Sequence, residues 1–422
     1  MGVWLLGRFI INGGNALNGE VSISGSKNSA LPILASTILI KGVSVIENCP
    51  NISDVNKTID ILRILGCKVL FSNGKVVVDS KNANMFEVPS DISEKMRSSI
   101  IFMGALLGRF NEVITGYPGG CEIGERPIDF HIKAFEEMGV KFENSGCSIY
   151  GFGNKFKGAN INLDFPSVGA TENIMILASV SEGQTVIYNS AREPEIIDLQ
   201  NFLNKAGADI KGAGTDTIYI NGVKELKPVE YSVMSDRIEA GTFMCAVATT
   251  GGEVFLKNAN ATDMRQIILR ISETGCIIKE YENGISVKKS GFIKPVNIIR
   301  TEPFPGFPTD MQPQMMSVLS LARGTSIIVE NVFESRFKHI LELSKMGADI
   351  SFEGRTAVIK GVSSLNGSCV VCRDLRGGAS LIVAGLSAKG ETCVQNSVYV
   401  ERGYENLDMK IRNLGGDIKL LK

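Results

Sequence analysis

The sequence predicts an α/β protein made of six copies of one supersecondary unit, three copies to each of two domains. Two observations carry this reading. Six times an amphipathic stretch ends at a glycine and runs into a β-forming segment: at Gly66, Gly139, Gly207, Gly275, Gly347 and Gly415, spaced 68 to 73 residues apart. Each copy also holds a helical stretch that is apolar nearly all round, such as Ser29–Leu39 and Ala379–Ala388. A helix without a polar face is normally buried. One such unit is too small to bury its own faces, so several must pack together.

The elements follow in order. Residues 9–13 and 20–24 read as a strand pair, matched later by 218–222 with 231–233 and by 358–362 with 368–372. The apolar helices start near 27, 97, 169, 237, 310 and 376. The second helices, such as 57–65 and 338–346, place apolar residues at three- and four-residue spacing and so lie outside. The glycine ending each second helix is expected in the left-handed conformation of a C-cap.

The chain has 44 basic and 45 acidic residues, a net charge of −1, which lacks the basic excess of a nucleic-acid binder. No apolar run approaches the roughly 20 residues of a membrane span. The first residues place no basic segment ahead of their apolar ones, so a signal peptide is not expected. Nine cysteines without framework spacing point to a cytoplasmic setting with mostly free thiols.

The copies diverge at their helix starts, which carry Lys27 and Asn28, Arg97, Gly169, Arg237, Asp310 and Arg376; the second-helix starts add Arg126, Arg192, Arg336 and Arg402. Unpaired N–H groups and the helix dipole favour anions there, and arginine matches carboxylate or phosphate bidentately. Cations recurring at equivalent positions in a near-neutral chain predict a basic pocket for a small, highly anionic substrate. In the second copy, ahead of its second helix, residues 115–127 form a loop with Gly116, Gly119, Gly120 and Gly124 around Cys121, which suits a lid. Arg126 nearby would lower the thiol pKa of Cys121. Cys369 and Cys372 form a CxxC inside an apparent strand with no second pair, which argues against zinc and gives weak support for redox chemistry. His131 and His339 read as structural. No phosphate-loop or dinucleotide fingerprint is present.

Eight segments together resemble one family across its full length: 23–32, 118–129, 167–173, 191–196, 236–243, 307–314, 373–379 and 401–405. They are similar to motifs of the UDP-N-acetylglucosamine 1-carboxyvinyltransferases, the enolpyruvyl transferases that begin peptidoglycan synthesis. The resemblance implies the enolpyruvate transferase fold, a two-domain inside-out α/β barrel. It divides the chain into 1–26 with 235–422, and 27–234, the latter carrying the Cys121 loop. It implies two small-molecule substrates, phosphoenolpyruvate and UDP-N-acetylglucosamine, with no metal or organic cofactor, no nucleic acid, no membrane and no obligate protein partner.

By the same resemblance Lys27, Arg126 and Arg402 hold the phosphate of phosphoenolpyruvate, with Asn28 beside Lys27, and Arg336 and Arg376 hold its carboxylate. Asp310 takes the proton of the sugar hydroxyl. Cys121 acts as general acid and forms a covalent adduct, and Asp374 is a second carboxylate for proton handling. Arg97, Arg126, Pro127, Ile128, Asp129, Phe130, Ser167, Val168, Gly169, Asp310 and Val332 contact the nucleotide sugar. One departure stands out: Phe165 occupies a position where the family often has lysine. Two rivals are an enzyme using shikimate 3-phosphate, disfavoured by Cys121 with its Arg126–Asp129 tail, and a non-catalytic anion-binding scaffold, disfavoured by Cys121 together with Asp310.

Overall fold

The computed structural model describes residues 7–422 apart from 95, 118, 120–127, 147 and 290. The chain divides into two compact units. One runs from Gly25 to Met234; the other joins the residues up to Ser24 to Ser235–Lys422.

Each unit contains three four-stranded sheets of one design. The third sheet of the 25–234 unit shows it. Strand Asn160–Asn162 leads into helix Val168–Ala178, then strand Gln184–Tyr188, helix Pro194–Lys205, and the pair Asp209–Lys211 and Thr217–Asn221. The short first strand pairs parallel with the second, Asn160 opposite Val186. The other neighbours are antiparallel, Gln184 and Asp209 both opposite Asn221. A parallel pair needs a crossover, and the apolar helix supplies it. The antiparallel pair needs only a turn.

Segments distant in sequence complete the sheets. Strand Arg8–Asn12 lies between Glu391–Gln395 and Asp417–Leu421, antiparallel to both. Strand Leu17–Ser22 pairs parallel with Gly252–Lys257. In the other unit Glu230–Ser232 pairs parallel with Val43–Glu47.

The apolar helices form the interior of each unit. Arg237–Thr250, Gln312–Leu319 and Leu375–Ser387 pack on one another in one unit; Lys27–Ser36, Phe102–Phe110 and Val168–Ala178 do so in the other. Every residue from Arg237 to Thr249 is buried. Close approach is possible because one helix carries glycine: a Cβ on Gly104 would sit 2.4 Å from the carbonyl oxygen of Asn173. The six repeat glycines all have positive φ, between 92° and 104°. There a side chain would strain the backbone, which explains the residue type at each helix end.

Two starts differ from expectation. The last two outer helices are short, Ile340–Lys345 and Leu407–Asn413. Arg336 therefore sits in a turn ahead of its helix, and Arg402 ends a 3-10 helix, Ser397–Arg402. The left-handed backbone of Asn406, φ 48°, separates that turn from the helix. At Arg402 the guanidinium, without a helix N-terminus behind it, carries any anion affinity. Among the described residues no helix is long and apolar enough to cross a membrane.

Candidate functional site

In the unit containing Ser235–Lys422, charged side chains converge on Asp310. This residue lies in a 3-10 turn, Thr309–Met311, between Pro308 and helix Gln312–Leu319. Arg336 donates through Nη2 to its Oδ1 at 3.1 Å. Arg376 donates to Oδ2 through Nε at 3.1 Å and Nη2 at 3.0 Å. Both arginine side chains are buried, 2% and 3% exposed, whereas that of Asp310 is 26% exposed, so the pairs are poorly screened and the carboxylate reaches solvent.

The surroundings hold this geometry. Burial opposes the Arg376 charge, but Asp310, with Tyr404 and Asp236, outweighs it and lifts the guanidinium pKa above its ordinary value. The Arg376 guanidinium also lies 5.4 Å from the Tyr404 ring centroid. The Tyr404 hydroxyl meets Thr242 Oγ1 at 2.9 Å and accepts from Gln314 Nε2 at 3.2 Å. Buried Glu330 accepts from Thr309 Oγ1 at 3.0 Å and from the backbone N–H of Val332 at 3.0 Å and Phe333 at 3.1 Å. One carboxylate thus fixes the turn of Asp310 relative to Val332.

Asp374 caps helix Leu375–Ser387, accepting from the N–H of Arg376 at 3.0 Å and Gly377 at 2.9 Å. Asp236 does the same at the equivalent helix, accepting from Ile238 and Glu239. The Asp-then-Arg pattern in both copies thus has a structural cause, a cap that fixes the first turn on which the arginine sits. His339 lies beneath, its Nδ1 3.2 Å from the Arg336 carbonyl oxygen. Burial lowers its pKa to about 4, so the ring is neutral near pH 7.

In the 25–234 unit Lys27 opens helix Lys27–Ser36, its Nζ 3.4 Å from Oδ2 of buried Asp54. Pro32 in that helix has no N–H for the Asn28 carbonyl, which leaves that oxygen without its usual helical donor. Arg97 opens a 3-10 helix, Arg97–Ile101, and Asp129 opens helix Asp129–Glu137. Ser167 caps helix Val168–Ala178, accepting from Ala170 at 3.4 Å. Its own N–H donates to the Phe165 carbonyl at 2.7 Å, and the Phe165 side chain is exposed. Ile128 and Phe130 pack against the core of this unit.

His131 ties these segments together. Asn173 donates through Nδ2 to the Ile100 carbonyl at 2.8 Å and lies 3.0 Å from His131 Nδ1, while its Oδ1 accepts from Gly104 at 2.8 Å. Burial, aided by the charge of Arg97, drops the His131 pKa to about 3. The neutral ring accepts at Nδ1, a tautomer assigned from this network. Asp54, Glu330 and the Asn173 network were missed from sequence. The usable signal was a polar residue inside an otherwise apolar helix, as at Asn173 and Gln314.

The structure therefore joins Asp310, Arg336 and Arg376 directly, and links Val332 to them through Glu330. It sets Arg97, His131 and Gly169 near one another, a Cβ on Gly169 lying 3.6 Å from the His131 ring. Cys121, Arg126 and Pro127 lie outside the described residues. Among the described residues no cluster of His, Cys, Asp or Glu is arranged to hold a metal.

A family model described as EPSP synthase (3-phosphoshikimate 1-carboxyvinyltransferase) matches residues 11–411. A UDP-N-acetylglucosamine 1-carboxyvinyltransferase 2 of Caldanaerobacter subterraneus subsp. tengcongensis is 50% identical over 98% of this chain and 99% of its own length. This chain belongs to the UDP-N-acetylglucosamine 1-carboxyvinyltransferase family. A 1-carboxyvinyltransferase of the same name from Geobacter metallireducens is 45% identical over 98% and 99% of the two chains. Among solved structures, the enolpyruvyl transferase NikO from Streptomyces tendae superposes with a TM-score of 0.88 at 23% identity, covering 98% of each chain. The EPSP synthase from Acinetobacter baumannii gives 0.76 at 18% identity, over 99% of this chain and 100% of its own. At those identities the likeness concerns the fold, the two-domain inside-out α/β barrel of the enolpyruvyl transferases. As a member of the family the chain is a transferase acting on small molecules.

Proposed function

We propose that the chain transfers the enolpyruvyl group of phosphoenolpyruvate to the 3-hydroxyl of UDP-N-acetylglucosamine and releases phosphate, the first committed step of peptidoglycan synthesis in the cytoplasm. The observation that carries the reading is the Asp310 carboxylate gripped by two buried arginines beside a solvent-reaching edge. Addition forms a bond from the sugar oxygen to C2 while C3 takes a proton. Elimination returns a proton from C3, expels phosphate and leaves the enol ether.

Arg336 and Arg376 suit the substrate carboxylate, since they already present one and two N–H contacts, respectively, to a carboxylate. Transfer of those contacts from Asp310 to the substrate would free Asp310 to take the hydroxyl proton. Lys27, Arg126 and Arg402, with Asn28, would hold the phosphate. Cys121 would deliver the proton to C3 and form the covalent adduct, and Asp374 would assist proton handling from its cap position. Arg97, residues 126–130, residues 167–169, Asp310 and Val332 would contact the nucleotide sugar. The domain division, 1–26 with 235–422 and 27–234, belongs to the same proposal and is supported by the chain's passage between its two compact units near Ser24 and Met234.

Phosphate release measured with each acceptor tests the reading. Release should require phosphoenolpyruvate and UDP-N-acetylglucosamine together, and fosfomycin, an epoxide phosphonate, should stop it by alkylating Cys121. Turnover with shikimate 3-phosphate and none with the amino sugar would overturn the assignment.

A further inference from the structure

The CxxC of Cys369 and Cys372 is the wrong pair. Cys369 opens the strand Cys369–Val371, whereas Cys372 lies just past it, and the two thiols differ in burial. Cys372 is buried, its Sγ 3.2 Å from the Asp374 carbonyl oxygen, and a Cβ on Gly378 would lie 2.3 Å from that sulfur. Cys369 faces outward and is exposed. Its partner comes from the neighbouring strand. Cys369–Val371 pairs parallel with Glu391–Gln395, and the register sets Cys369 directly opposite Cys393, which is half-buried. Val370 and Val394, one residue on in each strand, are fully buried, so both thiols lie together on the outer face.

The geometry points to Cys369 and Cys393 as a dithiol modification site, oxidised to an intramolecular disulfide by low-molecular-weight disulfides. Adjacent strands lie about 4.8 Å apart, within the roughly 4.4–6.8 Å that a disulfide spans between Cα atoms. Burial, followed by the charge of Cys369, pushes the Cys393 pKa up. Cys369, the more exposed sulfur, therefore reacts first. Its thiolate attacks the small disulfide and expels one thiolate. The Cys393 thiolate then attacks Cys369 Sγ, forms the Sγ–Sγ bond and expels the second. The small disulfide takes up two electrons and the two protons from the protein thiols, leaving as two thiols.

The bond would fall on a consequential element. Strand Cys369–Val371 is the sheet edge that runs into Asp374 and the first turn carrying Arg376. The inference does not depend on the transferase reading.

The test is to equilibrate the full chain in a graded series of oxidised and reduced glutathione, quench with acid and map peptides without reduction. A peptide linking Cys369 to Cys393 should form in the wild type and disappear with dithiothreitol. It should be absent from Cys369→Ser and from Cys393→Ser, and the second variant should stop at a glutathione adduct on Cys369. A wild-type chain that itself stops at that adduct, or that links Cys369 to Cys372, would overturn the proposal. Because the wild type alone gives either answer, the test survives misfolding of a variant.

Discussion

Asp310 and His131 show how one side chain can be set by groups far away in sequence. Asp310 accepts three hydrogen bonds from two arginines that lie 26 and 66 residues downstream. Replacing it with asparagine keeps the shape and removes the basicity. We expect Asp310→Asn to bind UDP-N-acetylglucosamine in calorimetry while turnover falls by roughly two decades or more, the usual scale for losing a positioned general base. Near wild-type turnover would remove Asp310 from that role. His131 is held neutral by burial, with a folded pKa of about 3 against an ordinary value near 6.5. Below pH 6.5 the unfolded chain binds this proton and the folded chain does not, so the contribution is complete above 6.5 and is lost as pH falls toward 3. The slope is about 1.4 kcal/mol per pH unit. Glu172 and Asp198, whose pKa values burial raises, act in the opposite sense in the same unit. The comparison of wild type with His131→Asn isolates the histidine: their stability difference in urea titrations should shift against the wild type by about that slope between pH 6 and 4. A pH-independent difference would mean that His131 charges within the fold.

At the scale of elements, two glycines make opposite demands. Gly207 ends an outer helix at φ 104°, with open space around a built Cβ. Gly207→Ala should cost about 1 kcal/mol, all from the backbone conformation. Gly104 has an ordinary helical backbone, but a Cβ there would meet Asn173 O at 2.4 Å and Oδ1 at 2.6 Å. Gly104→Ala should cost more, about 1–3 kcal/mol, because it forces apart two packed helices and disturbs the buried Asn173 bonds. Chemical denaturation of the two variants measures the contrast; equal losses would show that helix contact at Gly104 yields easily. The capped helix starts at Asp236 and Asp374 belong to this scale too. A carboxylate that binds two backbone N–H groups fixes the turn that carries Arg237 or Arg376, so a binding cation inherits its position from the cap.

For the whole molecule, the chain's two ends meet in one unit. Strand Arg8–Asn12 is a central strand, bonded on both sides by strands from the C-terminal quarter. Without it, Glu391–Gln395 and Asp417–Leu421 would each lose a ladder of backbone hydrogen bonds, and Phe9 and Ile11 would leave the core. Residues 25–234 expressed alone should therefore unfold cooperatively. Residues 235–422 alone should show weak near-ultraviolet dichroism and early denaturation, and a peptide of residues 1–24 should restore them. A stable 235–422 fragment with no response to the peptide would show that the N-terminal strands are dispensable.

The sequence alone determined the repeat, the alternation of buried and outer helices, the left-handed glycines and the family. These rest on local signals: periodicity sets which face a helix buries, positive φ selects glycine, and motif residues stand in fixed order along the chain. Tertiary structure alone decided that Asp310 lies against Arg336 and Arg376, that Lys27 meets Asp54, and that Cys369 faces Cys393 instead of Cys372. Each of those pairings depends on which strands and turns become neighbours after folding. Strand register is set by the burial of one sheet face, and the outward-facing partners are carried into place by that register. No local pattern around Cys369 or Asp310 records which residue from another copy will arrive opposite it.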